Sequence, residues 1–208
     1  ALRRNTFMAL LLLAYAPVGW GNITVTYDPT FPSIYQPAFD YAVSLWNRLI
    51  DTSRDEVEIY ATVDNPQYPL PPPWIAEGDG QFFKGFTNAP TPNFRYPTAL
   101  ANQFAGMDLN GTAPMNLNTA EITIIINCSY NSPLYLSIDG HPGATQVDLV
   151  TVFLQLITRG LGFLSSANSS CPGACWWGGP KIYDSFIATG NNQLITDATL
   201  FPPFSQAL

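Results

Sequence analysis

Five consecutive β-branched residues, Ile122-Thr-Ile-Ile-Ile126, constrain this chain more than any other stretch. Branching at Cβ restricts rotamers in a helix and packs well on a pleated surface, so the run predicts a buried strand. A buried strand needs neighbours beside it and a cover over it. The alternation of apolar and polar residues over 22–27 and from Val57 to Val63 predicts two further strands. From Ser33 to Asp51 the apolar residues Phe39, Ala42, Val43, Trp46, Leu49 and Ile50 recur at helical spacing and predict an amphipathic helix. A second long helix is expected over Val147–Leu161 and a short one over Tyr96–Gly106. These elements imply an α+β fold, a small twisted sheet packed on two long helices.

Between Asp64 and Pro97 lies an irregular stretch with Pro-Leu-Pro-Pro-Pro-Trp at 69–74 and Gly-Asp-Gly at 78–80, which reads as a long loop on one domain. A chain of 208 residues that is 47% hydrophobic is large enough for one domain with its own core, and disorder is not indicated. Only 11% of residues are charged, the net charge is −7 and Lys and Arg together number 8, so nucleic acid and anionic lipid are not expected partners. Few charges with 13% aromatic residues suit a surface partly hidden against protein partners or under glycan.

Arg3 and Arg4 precede an apolar run from Phe7 to Ala16, followed by Gly19-Trp-Gly21, so residues 1–21 read as a secretory leader and 22–208 as the domain. The apolar run is too short to span a bilayer, which takes about 20 residues. Four N-x-[ST] sequons, at Asn22, Asn110, Asn127 and Asn168, agree with export and with N-linked glycans; Asn127 lies in an apolar strand-like run and is the least expected to be used. Of the three cysteines, Cys171 and Cys175 flank a Pro-Gly-Ala turn and are expected to be bridged in an oxidising compartment. Cys128 is left over, and reads as a buried small hydrophobe rather than an intermolecular bridge.

Several blocks carry a resemblance when taken together. They are Asn22-Ile-Thr-Val-Thr-Tyr-Asp-Pro-Thr-Phe31, then Ala38-Phe-Asp-Tyr-Ala42 with Leu45-Trp46, and Pro97-Thr-Ala-Leu-Ala-Asn-Gln-Phe-Ala-Gly-Met-Asp-Leu-Asn-Gly111. Asp148-Leu-Val-Thr-Val-Phe-Leu-Gln-Leu-Ile-Thr-Arg-Gly-Leu-Gly-Phe-Leu-Ser-Ser166 and Trp177-Gly-Gly-Pro-Lys-Ile-Tyr-Asp-Ser-Phe186 follow in order. The set resembles a family of secreted zincin-like metalloproteases with an H-E-I-G-H-x-L-G-F helix, over nearly the whole chain after the leader. The resemblance implies a zincin-like fold in which Gln155 stands for the first metal-binding His, Leu156 for the catalytic Glu, Thr158 for the Gly and Arg159 for the second His. The third ligand position of the extended pattern falls on Ser165.

In an H-E-x-x-H helix the two imidazoles share one face and the Glu acts as general base for zinc-bound water. A neutral amide is a poor zinc ligand, Leu carries no proton and a guanidinium repels a cation. The expectation is a pseudo-metalloprotease without zinc, in a chain whose single histidine is His141. Arg159 should then fill the old metal pocket and be met by a carboxylate, Asp184 or Asp139 being the first candidates. The family's domain looks longer than one ending at Leu208, which implies uncovered apolar surface that favours packing against a neighbour.

Other chemistry is weaker. Asp108-Leu-Asn-Gly-Thr112 could hold a calcium ion, although an Asx turn is the plainer reading. Ser165 and Ser166 have no base nearby in sequence, His141 sits in a turn, and nothing in their spacing pairs Asp139 with Asp184. Trp74, Trp176 and Trp177 could stack on sugars, core or interface packing being the commoner fate. The expected function is a catalytically inactive secreted glycoprotein domain serving as a structural or assembly module of an extracellular or cell-surface polymer or matrix, with no cofactor beyond its glycans. Its partners would be other proteins or its own copies. The alternative is a peptide- or glycan-binding module using the old cleft, and the least expected is an active hydrolase.

Overall fold

The computed structural model describes residues 21–65, 69–71, 73–111, 119–167, 179–197 and 199–200. The leader up to residue 20, Thr112, the sequon at Asn168, the expected Cys171–Cys175 bridge, Trp176 and Trp177 lie outside them.

A mixed α+β fold is built on one four-stranded sheet. Strands β1 (Ile23–Tyr27), β2 (Val57–Val63), β3 (Ala76–Asp79) and β6 (Ile122–Ile126) lie in the order β1-β2-β6-β3. The first three in that order run parallel, with Ile23 beside Val57 and Ile59 beside Ile122, and β3 closes the edge antiparallel to β6 with Gly78 opposite Ile124. Two-residue strands make minor pairs: β4 (Phe82–Phe83) with β5 (Tyr96–Pro97), and β7 (Leu134–Tyr135) with β8 (Val147–Asp148). The helices are α1 (Gln36–Asn47), α2 (Thr98–Ala105) and α3 (Leu149–Gly160), joined by short 3-10 turns at Ser33–Tyr35 and Ile182–Phe186.

The core lies between the sheet and the two 12-residue helices α1 and α3. Ile122, Ile124 and Ile126 point into it, whereas Thr123 and Ile125 are only half-buried on the other face. The β-branched run is therefore buried chiefly on one side. Phe39 of α1 and Phe153 of α3 join the helices, with ring centroids 4.4 Å apart. Helix α1 starts at a proline in its first turn and stops at Asn47, short of the expected Asp51. Asn47 accepts the Ile23 N–H at 2.8 Å and donates to the Ile23 carbonyl at 3.1 Å, fastening the helix end to β1. Leu49, which fits the helical period, falls past that end and is exposed.

The stretch from Asp64 to Pro97 is not merely a loop, since it contains β3, β4 and β5. Sequence patterning misses β3 because Ala-Glu-Gly-Asp has no β-branched residue. Its strand state comes from pairing with β6.

Candidate functional site

Helix α3 is held at both ends and along one face. Asp148 caps it, accepting the Thr151 N–H at 3.2 Å and the Thr151 hydroxyl at 2.5 Å. Two glycines let it lie close on the sheet. A Cβ on Gly78 of β3 would sit 2.8 Å from Leu156 Cβ, and one on Gly160 would sit 2.6 Å from Ile122 Cγ2. This seating sets the direction of the side chains from 155 to 159. Gln155 is exposed, Leu156 is 6% exposed within the core beneath Gly78, and the Thr158 hydroxyl donates back to the Leu154 carbonyl. Arg159 is half-buried, and its Nε is buried with no hydrogen-bond partner among the described residues.

The expected lock between Arg159 and Asp184 or Asp139 does not form. Among the described residues no carboxylate lies within 4.0 Å of the guanidinium. Asp184 is fully buried but turned to other donors. One oxygen accepts the Ser165 hydroxyl at 2.5 Å and the Ser166 N–H at 3.2 Å; the other accepts the Ser166 hydroxyl at 2.6 Å and the Lys181 N–H at 2.7 Å. It caps the turn at Ile182–Phe186 and ties it to the chain leaving α3, which exhausts its acceptor geometry. The two serines thus have a structural partner distant in sequence. Asp139 stands elsewhere, exposed, accepting the Tyr135 hydroxyl and the His141 N–H, with His141 Nδ1 at 3.6 Å. It pairs with neither Arg159 nor Asp184.

Two cations share one aromatic ring instead. Arg95 Cζ lies 5.0 Å and Lys181 Nζ 4.3 Å from the centroid of the Phe82 ring, within cation–π range. The backbones of Arg95 and Lys181 are bridged, the Arg95 N–H donating to the Pro180 carbonyl at 3.0 Å and the Ile182 N–H to the Arg95 carbonyl at 2.9 Å. Burial holds the Lys181 ammonium below its ordinary range; Arg95 and Arg159 push it down further, while Asp79 and Asp184 pull it up. Two of the chain's 8 basic residues therefore share one ring, and Arg159 acts electrostatically on the second of them. The count of charges gives no sign of this, because positions 95 and 181 meet only through the fold.

A second group also escapes sequence reading. Glu121, just before β6, is 3% exposed, and its carboxyl accepts the Glu58 N–H at 2.8 Å and the Asn102 amide at 3.0 Å. Burial pushes its pKa up to about 7. Nearby, Asp108 accepts the N–H groups of Asn110 and Gly111 at 2.8 and 2.9 Å, the geometry of an Asx turn, with Gly111 at φ +91°.

The remaining sites divide by exposure. Asn22 is exposed. Asn110 is half-buried, with its amide donating to the Thr119 carbonyl. Asn127 is buried, and its Nδ2, the atom a glycan would occupy, donates to the Leu70 and Trp74 carbonyls at 3.1 and 2.7 Å. Cys128 is a free, exposed thiol, not the buried hydrophobe expected, because its place just beyond β6 puts it outside the core. Trp74 is exposed.

Among the described residues no group of three or more His, Cys, Asp or Glu side chains could hold a metal ion, and no helix is long and apolar enough to cross a membrane. Compared with known proteins, the chain matches no family model, no curated relative and no solved structure, so the functional reading has to rest on the residues around α3.

Proposed function

We infer that this chain is a catalytically silent, zincin-like domain, a secreted glycoprotein retained as an assembly module of an extracellular or cell-surface polymer or matrix. The observation that carries the loss of catalysis is the seating of Leu156. The position that should bear the proton-transferring carboxylate is a hydrocarbon side chain packed in the core beneath Gly78. The two would-be ligands beside it are an exposed amide and a guanidinium with no carboxylate within 4.0 Å among the described residues, a donor set that does not suit zinc. Low charge, the sequons and the exposed Phe163, Phe186 and Leu200 support a role among partners rather than in turnover.

Purified protein equilibrated with zinc is expected to hold no stoichiometric metal at α3 and to cleave no fluorogenic casein. Zinc that is bound and then lost in Gln155→Ala would sink the silent-site reading. Light scattering after size exclusion tests assembly, the expected result being a polymer or stable complex. A monomer at every concentration would favour the second reading, a non-catalytic binding site in the old cleft. The specific observation behind that second reading is the pairing of Arg95 and Lys181 on the Phe82 ring.

A further inference from the structure

We propose that the outer edge of β1 is an interface between two copies of this chain, the strands pairing antiparallel about a two-fold axis at Thr26. The proposal rests on the assembly reading above and names the surface through which assembly begins.

The edge is open over a short, bounded stretch. Even-numbered residues of β1 and its ends turn their backbone groups toward β2: the Asn22 carbonyl accepts the Val57 N–H at 3.0 Å and the Asp28 N–H donates to the Ala61 carbonyl at 2.8 Å. Alternation then points the backbone groups of Ile23, Val25 and Tyr27 outward. Ile23 is already served, since the Asn47 side chain accepts its N–H and donates to its carbonyl, the double exchange that an antiparallel neighbour makes. At the other end Pro29 has no N–H to leave open, and the chain turns out of the strand there, with the Phe31 N–H donating to the Asp28 carbonyl at 2.9 Å. Between these two stops the outward groups of Val25 and Tyr27 meet no hydrogen-bond partner among the described residues.

The spacing of the open groups selects the occupant. A second copy lying antiparallel sets Val25 against its Tyr27 and Tyr27 against its Val25, each pair exchanging both N–H···O bonds. Every open group of both strands is then satisfied. The Asn47 cap stays in place, because the incoming strand ends at its own Tyr27 and turns away before reaching Ile23. Thr26 faces the Thr26 of the second copy on the axis, as a close, non-hydrogen-bonded pair. Thr24 and Thr26 are exposed and no residue of Ile23–Tyr27 is charged, so like charges do not oppose a twin strand. The strand at the opposite end of the sheet, β3, carries Glu77 and Asp79 and lacks that property. Pairing through β1 therefore joins two four-stranded sheets into one and leaves acidic β3 strands at both ends, which closes the assembly at a dimer unit.

The test is sedimentation equilibrium of the secreted chain over a concentration series, alone and with Thr26→Lys, which sets like charges face to face on the axis. Ser132→Lys, at an exposed position outside the sheet, is the control. A dimer is expected whose dissociation constant rises at least tenfold in Thr26→Lys and stays unchanged in Ser132→Lys, with the melting temperature of each variant preserved. Oxidative cross-linking fixes the register. In a Cys128→Ser background, Thr26→Cys should form a bridge between copies, since facing Cα atoms lie about 4.5 Å apart in such a pair. Thr24→Cys should not, because in this register it faces Asp28 of the second copy. Non-reduced peptide mapping locates the bridge, and if Thr26→Lys fails to fold, the cysteine variants decide. Assembly that ignores Thr26→Lys and yields no bridge at residue 26, an equal bridge through Thr24→Cys, or a particle containing a second kind of chain would overturn the proposal and leave the assembly reading standing. A monomer at every concentration would overturn the assembly reading itself, and the proposal with it.

Discussion

Glu121 is the residue through which this fold should feel pH. Its carboxyl is 3% exposed, and its pKa rises from an ordinary 4.5 to about 7. Below the ordinary value the group is neutral in folded and unfolded chains alike and costs nothing. Above the raised value it is ionised in both, and the folded chain carries the whole desolvation cost, roughly 3 kcal/mol at 1.36 kcal/mol per pKa unit. Stability attributable to Glu121 is therefore lost as pH rises from about 4.5 to about 7. Urea midpoints across that window should fall in the parent chain and fall less in Glu121→Gln; identical slopes would mean that the carboxyl is hydrated. Nothing in the residues flanking Glu121 reveals this. Its partners Glu58 and Asn102 lie on β2 and α2, and its burial exists only once those elements meet.

At the scale of elements, α3 owes its position to two absent side chains. A methyl group at Gly160 would press to 2.6 Å from Ile122 Cγ2, an atom of a fully buried side chain with little room to retreat. Gly160→Ala is expected to cost about 1–3 kcal/mol as an overpacked core, outweighing the better helix propensity of Ala. Gly190→Ala, where a Cβ would meet nothing within 4 Å, is the control. Chemical denaturation checks both, and equal stability of the two variants would show that α3 can lift from the sheet without penalty. These contacts also mark where sequence reading stops. The β-branched run of β6 and the alternation of β2 are legible to the residue, because local pattern and tertiary demand coincide there. Strand β3 is illegible because its glycine serves α3 rather than the strand, and Arg95 and Lys181 become neighbours only through the pairing of chain segments far apart in sequence.

For the whole molecule, one core implies one transition. Phe153 is fully buried and meets Phe39 across the helix pair, so its truncation empties the centre that both helices and the sheet share. Phe153→Ala should cost about 3–5 kcal/mol, with tryptophan fluorescence and far-ultraviolet circular dichroism moving together. Separate midpoints would mean that the helices and sheet unfold as independent units. The α+β class, the two long helices and the sheet beneath them were readable from periodicity. The parallel order β1-β2-β6 was not, because alternation reports which face of a strand is buried and not the direction of its neighbour.

Among the described residues strand β3 has one hydrogen-bonded neighbour, so it leaves a flank that could recruit a foreign strand. Only four residues long, it carries Glu77 and Asp79 two positions apart and hence on one face. A second copy docking its own β3 there would bring carboxylates against carboxylates, and the brevity of the strand would leave few bonds to compensate. The flank thus guards against amyloid-like stacking. An ordered polymer of this chain is therefore not expected to grow by pairing β3 with β3.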